Sequence, residues 1–556
     1  MGAAAVAVLA LAACGDDDDG GAAPGSVAAP ATTTAASGGA ETTTAATSGD
    51  TSGDTGGGGG GGEGRELIIA RDMDLTTLDP SRAYCDTCQI YLSAVYQTLI
   101  GVDPTDLKKL LPRLATKWEA NADNTVFTFT LDPKATFADG SPVTAADVKF
   151  SWERLEGLQG SASYLMAGVK TVEAPDDHTV VVMFNSPNSA FLNIVSAPYM
   201  SIMSKAQAEA NKATIDEKDA AEPWFLANSA GSGPFNLESY TENDSLVLAR
   251  NDDFWGSKSP FPKITLKQVK DATAQLQQLQ QGDVDIAMQI SFDSVGQLEG
   301  VEGVTTEEVD SYNFVYLGLS PGAEGGDALK SPAVRAAIRL ALDYDGILDT
   351  TVGGNGKLQA SPIPNGFDGS AGLELPKQDL EQAKSLMQEV SKGPITLRAA
   401  YPTVNVYGVD FDTMMAKVQQ DLKAIGIELK LEPVEFSQWV EQMQGQGIPL
   451  TAVYFAPDHI DTSQYVQYFG MIEGSAWQTR SGTDINVNEQ ELFRQALAST
   501  GEEKTRFYNS IGQDMIKDLI ILPLVNPGLV LAHASDITGV RYSACCNLEL
   551  GGLGTG

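Results

Sequence analysis

LLPRLATKWEANADNTVFTFTLDPKATFADGSPVTAADVKFSWERL, Leu110 to Leu155, holds three kinds of local instruction in a row. Thr125 to Leu131 (TVFTFTL) alternates polar and apolar residues with period two, so it reads as a strand, here an exposed-edge one. Asp139-Gly140-Ser141-Pro142 is turn chemistry. Thr144 then caps a helix through Asp147 to Leu155, with the acid at its third position as a capping box requires. A strand, a turn and a capped helix in this order belong to a mixed α/β chain.

The same vocabulary extends to both sides. Glu66 to Arg71 (ELIIAR) reads as a strand and is followed by Leu78-Asp79-Pro80, and Ile90 to Ile100 has helical spacing. His178 to Phe184 is another strand. From Gln275, QLQQLQQGDVDIA is a helix ending at Gly282 and then a strand. Ser331 to Leu348 has a Ser cap, Pro in the first turn and apolar residues at helical spacing. Phe411 to Gly426 is a helix, Ile427 to Pro433 and Leu450 to Phe455 are strands, and Glu489 to Leu519 holds two more helices. Strands alternating with helices imply an α/β body with largely covered sheets. After Ala13 no apolar run reaches the length of a membrane span.

The N-terminus differs. An apolar run from Ala3 to Ala13 ends in Leu11-Ala12-Ala13-Cys14, too short to span a membrane and shaped like a secretory signal. It resembles a bacterial lipobox, which implies that Cys14 becomes the lipid-bearing first residue of an exported protein. Residues 1–14 are thus read as the signal segment, although no Lys or Arg precedes the run. Residues 15–64 contain little but Gly, Ala, Ser, Thr and Asp, with seven glycines from Gly56 to Gly62. Nothing there offsets the entropy of ordering a backbone, so the segment reads as a disordered tether spanning roughly 40 Å. The Asp16–Asp19 run is a solvated charge run rather than a calcium site.

The chain has 36 basic and 73 acidic residues, a net charge of −37. Eight of the acids lie in the first 64 residues, so the body from Arg65 to Gly556 holds 65 acids against 36 bases, or −29. This argues against nucleic acid or anionic lipid as a partner and mildly favours cationic or zwitterionic ligands. Apart from Cys14, four cysteines form two close pairs, Cys85/Cys88 and Cys545/Cys546, for which three connectivities exist. A redox C-x-x-C and a zinc site are alternatives. Nothing around Cys85 reads as the strand-to-helix start of redox sites, and structural zinc takes better-spaced ligands. The favoured reading is two structural bridges tying the N-terminal part of the body to its C-terminal end.

Catalysis finds little support. The three histidines are His178, His459 and His533, with no H-E-x-x-H and no G-x-S-x-G. No cysteine has a base partner in view. No metal ligand set or cofactor is expected, and His459 beside Asp458 is not expected to form a dyad.

Several strings, in order, resemble the bacterial extracellular solute-binding proteins of family five, the peptide receptors of ABC importers. They are VYQTLIGVD at Val95–Asp103, the opening stretch, GSGPF at Gly231–Phe235, NDDFWG at Asn251–Gly256, LQQGDVDIA, SPAVRAAIRLALD and DLKAIGIELKLEPVEFSQW. The resemblance implies a type II periplasmic-binding-protein-like fold, with two lobes closing on a ligand and an extra domain inserted in the first lobe. On that template residues 65–109, 228–310 and 527–556 form the first lobe, 110–227 the inserted domain and 311–526 the second lobe. Both cysteine pairs then share one lobe, which makes a bridge from Cys85 or Cys88 to Cys545 or Cys546 geometrically reasonable.

The resemblance also implies a site. A peptide's ammonium, enclosed in a water-poor pocket, needs a carboxylate. In the family that acid follows a short strand, here Val453-Tyr454-Phe455-Ala456, and the matching acid is Asp458. The opposite wall is Tyr84, Cys85 and Asp86. Phe436, Met443, Phe455 and Tyr164 are expected to add aromatic or apolar pockets, with Trp439 and Trp477 less so. Met443 and Ala452 stand where some peptide receptors carry basic residues, so the ligand's C-terminal anchor is open. Expected partners are a peptide, an ABC permease and the membrane through Cys14, with the receptor a monomer. The alternatives are a nonpeptide solute (a nickel complex, opine or sugar) and service to a sensor instead of a permease.

Overall fold

The computed structural model describes residues 64–390, 393–406, 408–544 and 547–556. The signal segment with Cys14, the tether up to residue 63, and Cys545 and Cys546 lie outside the described residues.

Alternation from Val126 to Leu131 buries Phe127, Phe129 and Leu131 on one face of a strand. That strand is interior, correcting the edge expectation. It lies between Ala115–Ala120 and Thr179–Phe184 in a four-stranded antiparallel sheet completed by Val169–Asp176. Its second neighbour arrives from some fifty residues downstream, so local pattern could not place it. Phe127, Phe129, Phe184, Phe191 and Trp152 pack edge-to-face over this sheet. The helix Ala145–Gly157 opens as its capping box predicts, Thr144 donating N–H and Oγ1–H to the Asp147 carboxylate.

Arg154, on that helix, is fully buried. Its guanidinium makes two 2.6 Å bonds to Asp79, the acid of the Leu-Asp-Pro string, and a 2.9 Å bond to Asp219. The pairing fastens the small sheet to the segment after the first strand. The apolar core under the small sheet runs without a break into the core built on Leu67, Ile69, Ile90 and Leu92.

The main sheet has twelve strands. One half is Ile427–Val434, Ile395–Pro402, Leu450–Phe455 and Phe314–Leu319; the other is Ile286–Ala287, Leu67–Arg71, Lys263–Gln268, Ser245–Arg250 and Phe235–Thr241. Between them runs one long strand, Ile521–Ala534. Its start pairs with Phe314–Leu319 and its end, from Gly528, pairs antiparallel with Val304–Asp310. The chain crosses between the halves near 310–314 and 526–528, where Asn526 donates to the carbonyls of Ser311 (3.0 Å) and Asn313 (2.6 Å).

Two helices depart from expectation. Ser331 to Leu348 is two helices, Pro332–Ala341 and Tyr344–Val352, because the Asp343 side chain accepts the Gly346 N–H and starts a new one. The helix expected from Ile90 begins earlier and spans Asp86–Val95, with Ile100 already in a strand.

Cys85 is the N-cap of this helix, reached through a loop well after the first strand ends at Arg71, so the pair sits at a helix start but not at a strand-to-helix turn. The expected pairing is corrected. Cys85 is bonded to Cys88 and not to the C-terminal pair. An extended cap residue and the third helical residue stand 4.9 Å apart between Cα atoms, within ordinary disulfide range.

Candidate functional site

The strand Leu450–Phe455 is apolar because both its faces are covered, and Phe314 to Leu319 pairs along its whole length. At its exit Asp458 is turned inward, and Gln464 fixes the turn. The Gln464 side-chain oxygen accepts the Asp458 N–H at 2.7 Å, while its amide donates to the carbonyls of His459 and Asp461.

Asp458 is 4 % exposed. Its Oδ2 accepts hydrogen bonds from Tyr84 at 2.8 Å and from Tyr164, which belong to distant parts of the chain. No lysine or arginine pairs with it among the described residues. Burial pushes its pKa up to about 6, the two tyrosyl donors hold it back, and Asp86 adds a small push upward. Burial, and next the Asp458 charge, raise both tyrosines well above their ordinary value, so both remain donors. Asp458 is thus a buried carboxylate, still mostly charged at pH 7, whose two side-chain partners are both uncharged.

Asp458 lines a cavity of about 140 Å³ together with Tyr454, Phe455, Ala456, Phe436, Tyr84, Cys85 and Asp86. These residues come from three separate segments, as expected of opposing walls. Tyr164 is not in the lining and reaches the site through its hydroxyl. Met443 is a correction. It sits two turns beyond Phe436 on the helix Phe436–Gln444, about 10 Å along at 1.5 Å per residue, and lines a separate hollow beside Arg480. Trp439 lines the cavity and donates to Thr451 Oγ1 at 2.8 Å, whereas Trp477 is core against Tyr316.

The residues that sequence reasoning missed are mostly tyrosines. Tyr199 stacks obliquely on Tyr84 at 5.2 Å and donates to the Cys85 carbonyl at 3.2 Å; Tyr316 and Tyr468 also line the cavity. Lone tyrosines inside apolar strings give no signal of facing a cavity. Asp74, another lining residue, accepts the N–H groups of Asp86 and Thr87 at 2.9 Å each and so caps the helix that carries the wall.

A second cavity, about 430 Å³, shares Asp74, Thr76, Asp86, Phe436 and Tyr454 with the first, so the two form one cleft. Its walls add Asp72, Glu435, Lys270 and Arg71. Arg71 is nearly buried, donates Nε–H to Thr87 Oγ1 at 2.9 Å and stands 3.8 Å from Asp86. Direct bonds also join segments far apart in sequence. Gln89 donates to the Pro457 carbonyl at 3.3 Å, Asn193 to Asp461 at 3.2 Å, and Ser189 N–H to the Leu497 carbonyl at 2.9 Å.

His459 forms no dyad with Asp458. Its Nδ1 accepts the Asp461 N–H, and burial lowers its pKa to about 4, so it is neutral at pH 7. Among the described residues no group of three or more His, Cys, Asp or Glu is arranged to hold a metal, and no helix is long and apolar enough to cross a membrane.

Residues 109–475 match the family described as bacterial extracellular solute-binding proteins, family 5. The chain belongs to that family. Family-5 members bind and hand over solutes in transport, so the protein is a binding component and not an enzyme. The probable D,D-dipeptide-binding periplasmic protein DdpA of Escherichia coli K12 is 29 % identical over 484 residues, covering 86 % of this chain and 91 % of that protein. The dipeptide-binding protein DppE of Bacillus subtilis 168 is 26 % identical over 461 residues, covering 77 % and 81 %. In fold, the chain superposes on the Helicobacter pylori periplasmic binding protein DppA, solved with the peptide STSA. The TM-score is 0.78 at 21 % identity, covering 88 % of this chain and 98 % of that one. The family-5 chain therefore has the type II periplasmic-binding fold expected from its sequence.

Proposed function

We propose that this family-5 chain is the receptor of an ABC importer and captures peptides with a free amino terminus. Asp458 carries the reading. A buried carboxylate with only neutral donors in a cleft is electrostatically incomplete, and an ammonium completes it. The peptide-binding names of the relatives support the ligand class. The ammonium replaces the Tyr164 and Tyr84 hydroxyls on Asp458, and the backbone follows Tyr454–Ala456 between Phe436, Phe455 and the Tyr84–Asp86 wall. With Met443 outside the cleft, the basic groups left for a terminal carboxylate are Arg71 and Lys270. Ligand touching both walls favours the closed form by its differential affinity, and that form is what a permease receives. In this reading residues 110–227 are an inserted domain beside two lobes, the protein is a monomer, and Cys14 carries the lipid that holds it at the membrane.

Native mass spectrometry of the intact protein before and after exposure to a random di- to pentapeptide mixture tests the proposal. Retained peptide masses that disappear when the mixture is N-acetylated are the expected result. Equal retention of acetylated peptides would overturn the amine site. The anchor is tested separately, since Cys14→Ser is expected to release the protein from membranes.

A further inference from the structure

Peptide capture uses the outer surface of the Tyr84–Asp86 wall and assigns no task to the disulfide inside it. Loop-closure entropy gives this disulfide little structural value, because it closes a loop of about four residues. The helix start it spans is already capped by Asp74 through the N–H groups of Asp86 and Thr87. The two sulfurs differ in access. Cys85 is half-buried and lines the ligand cavity, whereas Cys88 is fully buried, its sulfur turned toward the Thr77 carbonyl at 4.0 Å. The Cys85 sulfur also accepts the Cys88 N–H at 3.1 Å, next in line after the two N–H groups held by Asp74. An accessible first cysteine, a buried second one and a helix N-terminus beneath both is the arrangement that lowers thiol pKa values and makes a C-x-x-C exchangeable.

We propose that Cys85–Cys88 is a thiol–disulfide exchange site opening on the ligand cleft, and that its substrates are small thiols, cysteinyl peptides included. The thiolate RS⁻ attacks Cys85 Sγ from the cleft. The R–S–S–Cys85 bond forms and the Cys85–Cys88 bond breaks, with its electron pair leaving on Cys88 Sγ. Cys88 then takes up the proton that the incoming thiol gave to solvent. A second thiol attacking the mixed disulfide at the small-molecule sulfur releases RSSR and leaves both cysteines as thiols, two electrons having come from two thiols. Attack falls on Cys85 because Cys88 is out of reach. Asp74 and Asp86 oppose a thiolate at this turn, and the helix N-terminus favours it. Only the claim that bound ligand covers Cys85 rests on the peptide reading; the exchange itself does not.

The test uses the full chain, oxidised, incubated with reduced glutathione at neutral pH, quenched with acid, alkylated and mapped by mass spectrometry. The map separates Cys85 and Cys88 from Cys545 and Cys546. The expected product is a glutathione adduct on Cys85 with Cys88 alkylated. A Cys88→Ala variant, given oxidised glutathione, is expected to take the same adduct on its single remaining thiol of the pair. A bridge that stays closed in the native protein while opening in urea at the same thiol concentration overturns the proposal, as does an adduct confined to Cys88. Preloading with the peptide mixture is expected to slow adduct formation tenfold or more. An unchanged rate with peptide demonstrably bound overturns access through the cleft. An adduct on Cys85 in protein that binds no peptide supports the exchange while counting against the peptide reading.

Discussion

Asp458 and Asp461 stand three residues apart on one buried turn, and their surroundings are opposite. Asp461 has a full set of donors. Lys504 stands at 2.7 Å and Tyr508 at 2.8 Å, with Asn193 and the Ser463 N–H completing it. Although burial pushes the other way, Lys504 holds this carboxyl well below its ordinary value. Asp458 has two tyrosyl hydroxyls and, among the described residues, no cation, and burial raises it to about 6. Burial is nearly the same for both, so the lysine makes the difference. One acid has its counter-charge built into the fold; in the proposed capture the other takes it from a ligand. The two also act oppositely on stability. Asp461 adds stability above its unfolded pKa near 3.8 and loses it as pH falls; Asp458 costs stability increasingly as pH rises from 3.8 through about 6.

The largest expected effect is on the built-in pair. Lys504→Met leaves Asp461 charged and buried without its partner, and should cost about 3–5 kcal/mol in denaturant unfolding. A loss below about 1 kcal/mol would erase the contrast between the two acids. Asp458→Asn should instead leave stability equal or higher at pH 7.5 while weakening free-amine peptide binding by about 2–5 kcal/mol, roughly thirtyfold to several thousandfold. Calorimetric titration of both proteins reads this, and unchanged affinity would remove Asp458 from the site. Third, a proton competes with the ammonium for Asp458, so affinity should fall by about tenfold per unit as pH drops below 6. A flat profile between pH 7 and 5 contradicts a carboxylate site. The smallest effect is that of Tyr164→Phe. Removing this donor takes away support for the charged form, so the midpoint of that profile should move upward by about one unit or less. A downward move would mean that Tyr164 does not act on Asp458.

What the sequence reveals and what it hides follow the range of each interaction. Capping at Thr144 and Asp147, closure of a helix at Gly282 and alternation at Val126–Leu131 are settled within a few residues, and all appear in the structure where pattern places them. The strand's interior position depends on a partner some fifty residues away, and the Ser331–Leu348 run looks continuous because the competing cap at Asp343 is one polar residue in an apolar stretch. Only resemblance singles out Asp458; the Tyr84 and Tyr164 bonds that define its chemistry cross 374 and 294 residues of sequence. The cysteine pairing departs from expectation for the opposite reason, since the partner of Cys85 is only three residues away and not in the distant C-terminal pair.

The strand Ile521–Ala534 belongs to both halves of the main sheet, and the Asn526 side chain fastens it to the other crossing segment through the carbonyls of Ser311 and Asn313. In the proposed capture, the halves would turn about these two neighbouring backbones, held together at Asn526, and not about a slack loop. A joint of that kind would let the Tyr84 wall and the Asp458 turn part and meet again in the same register.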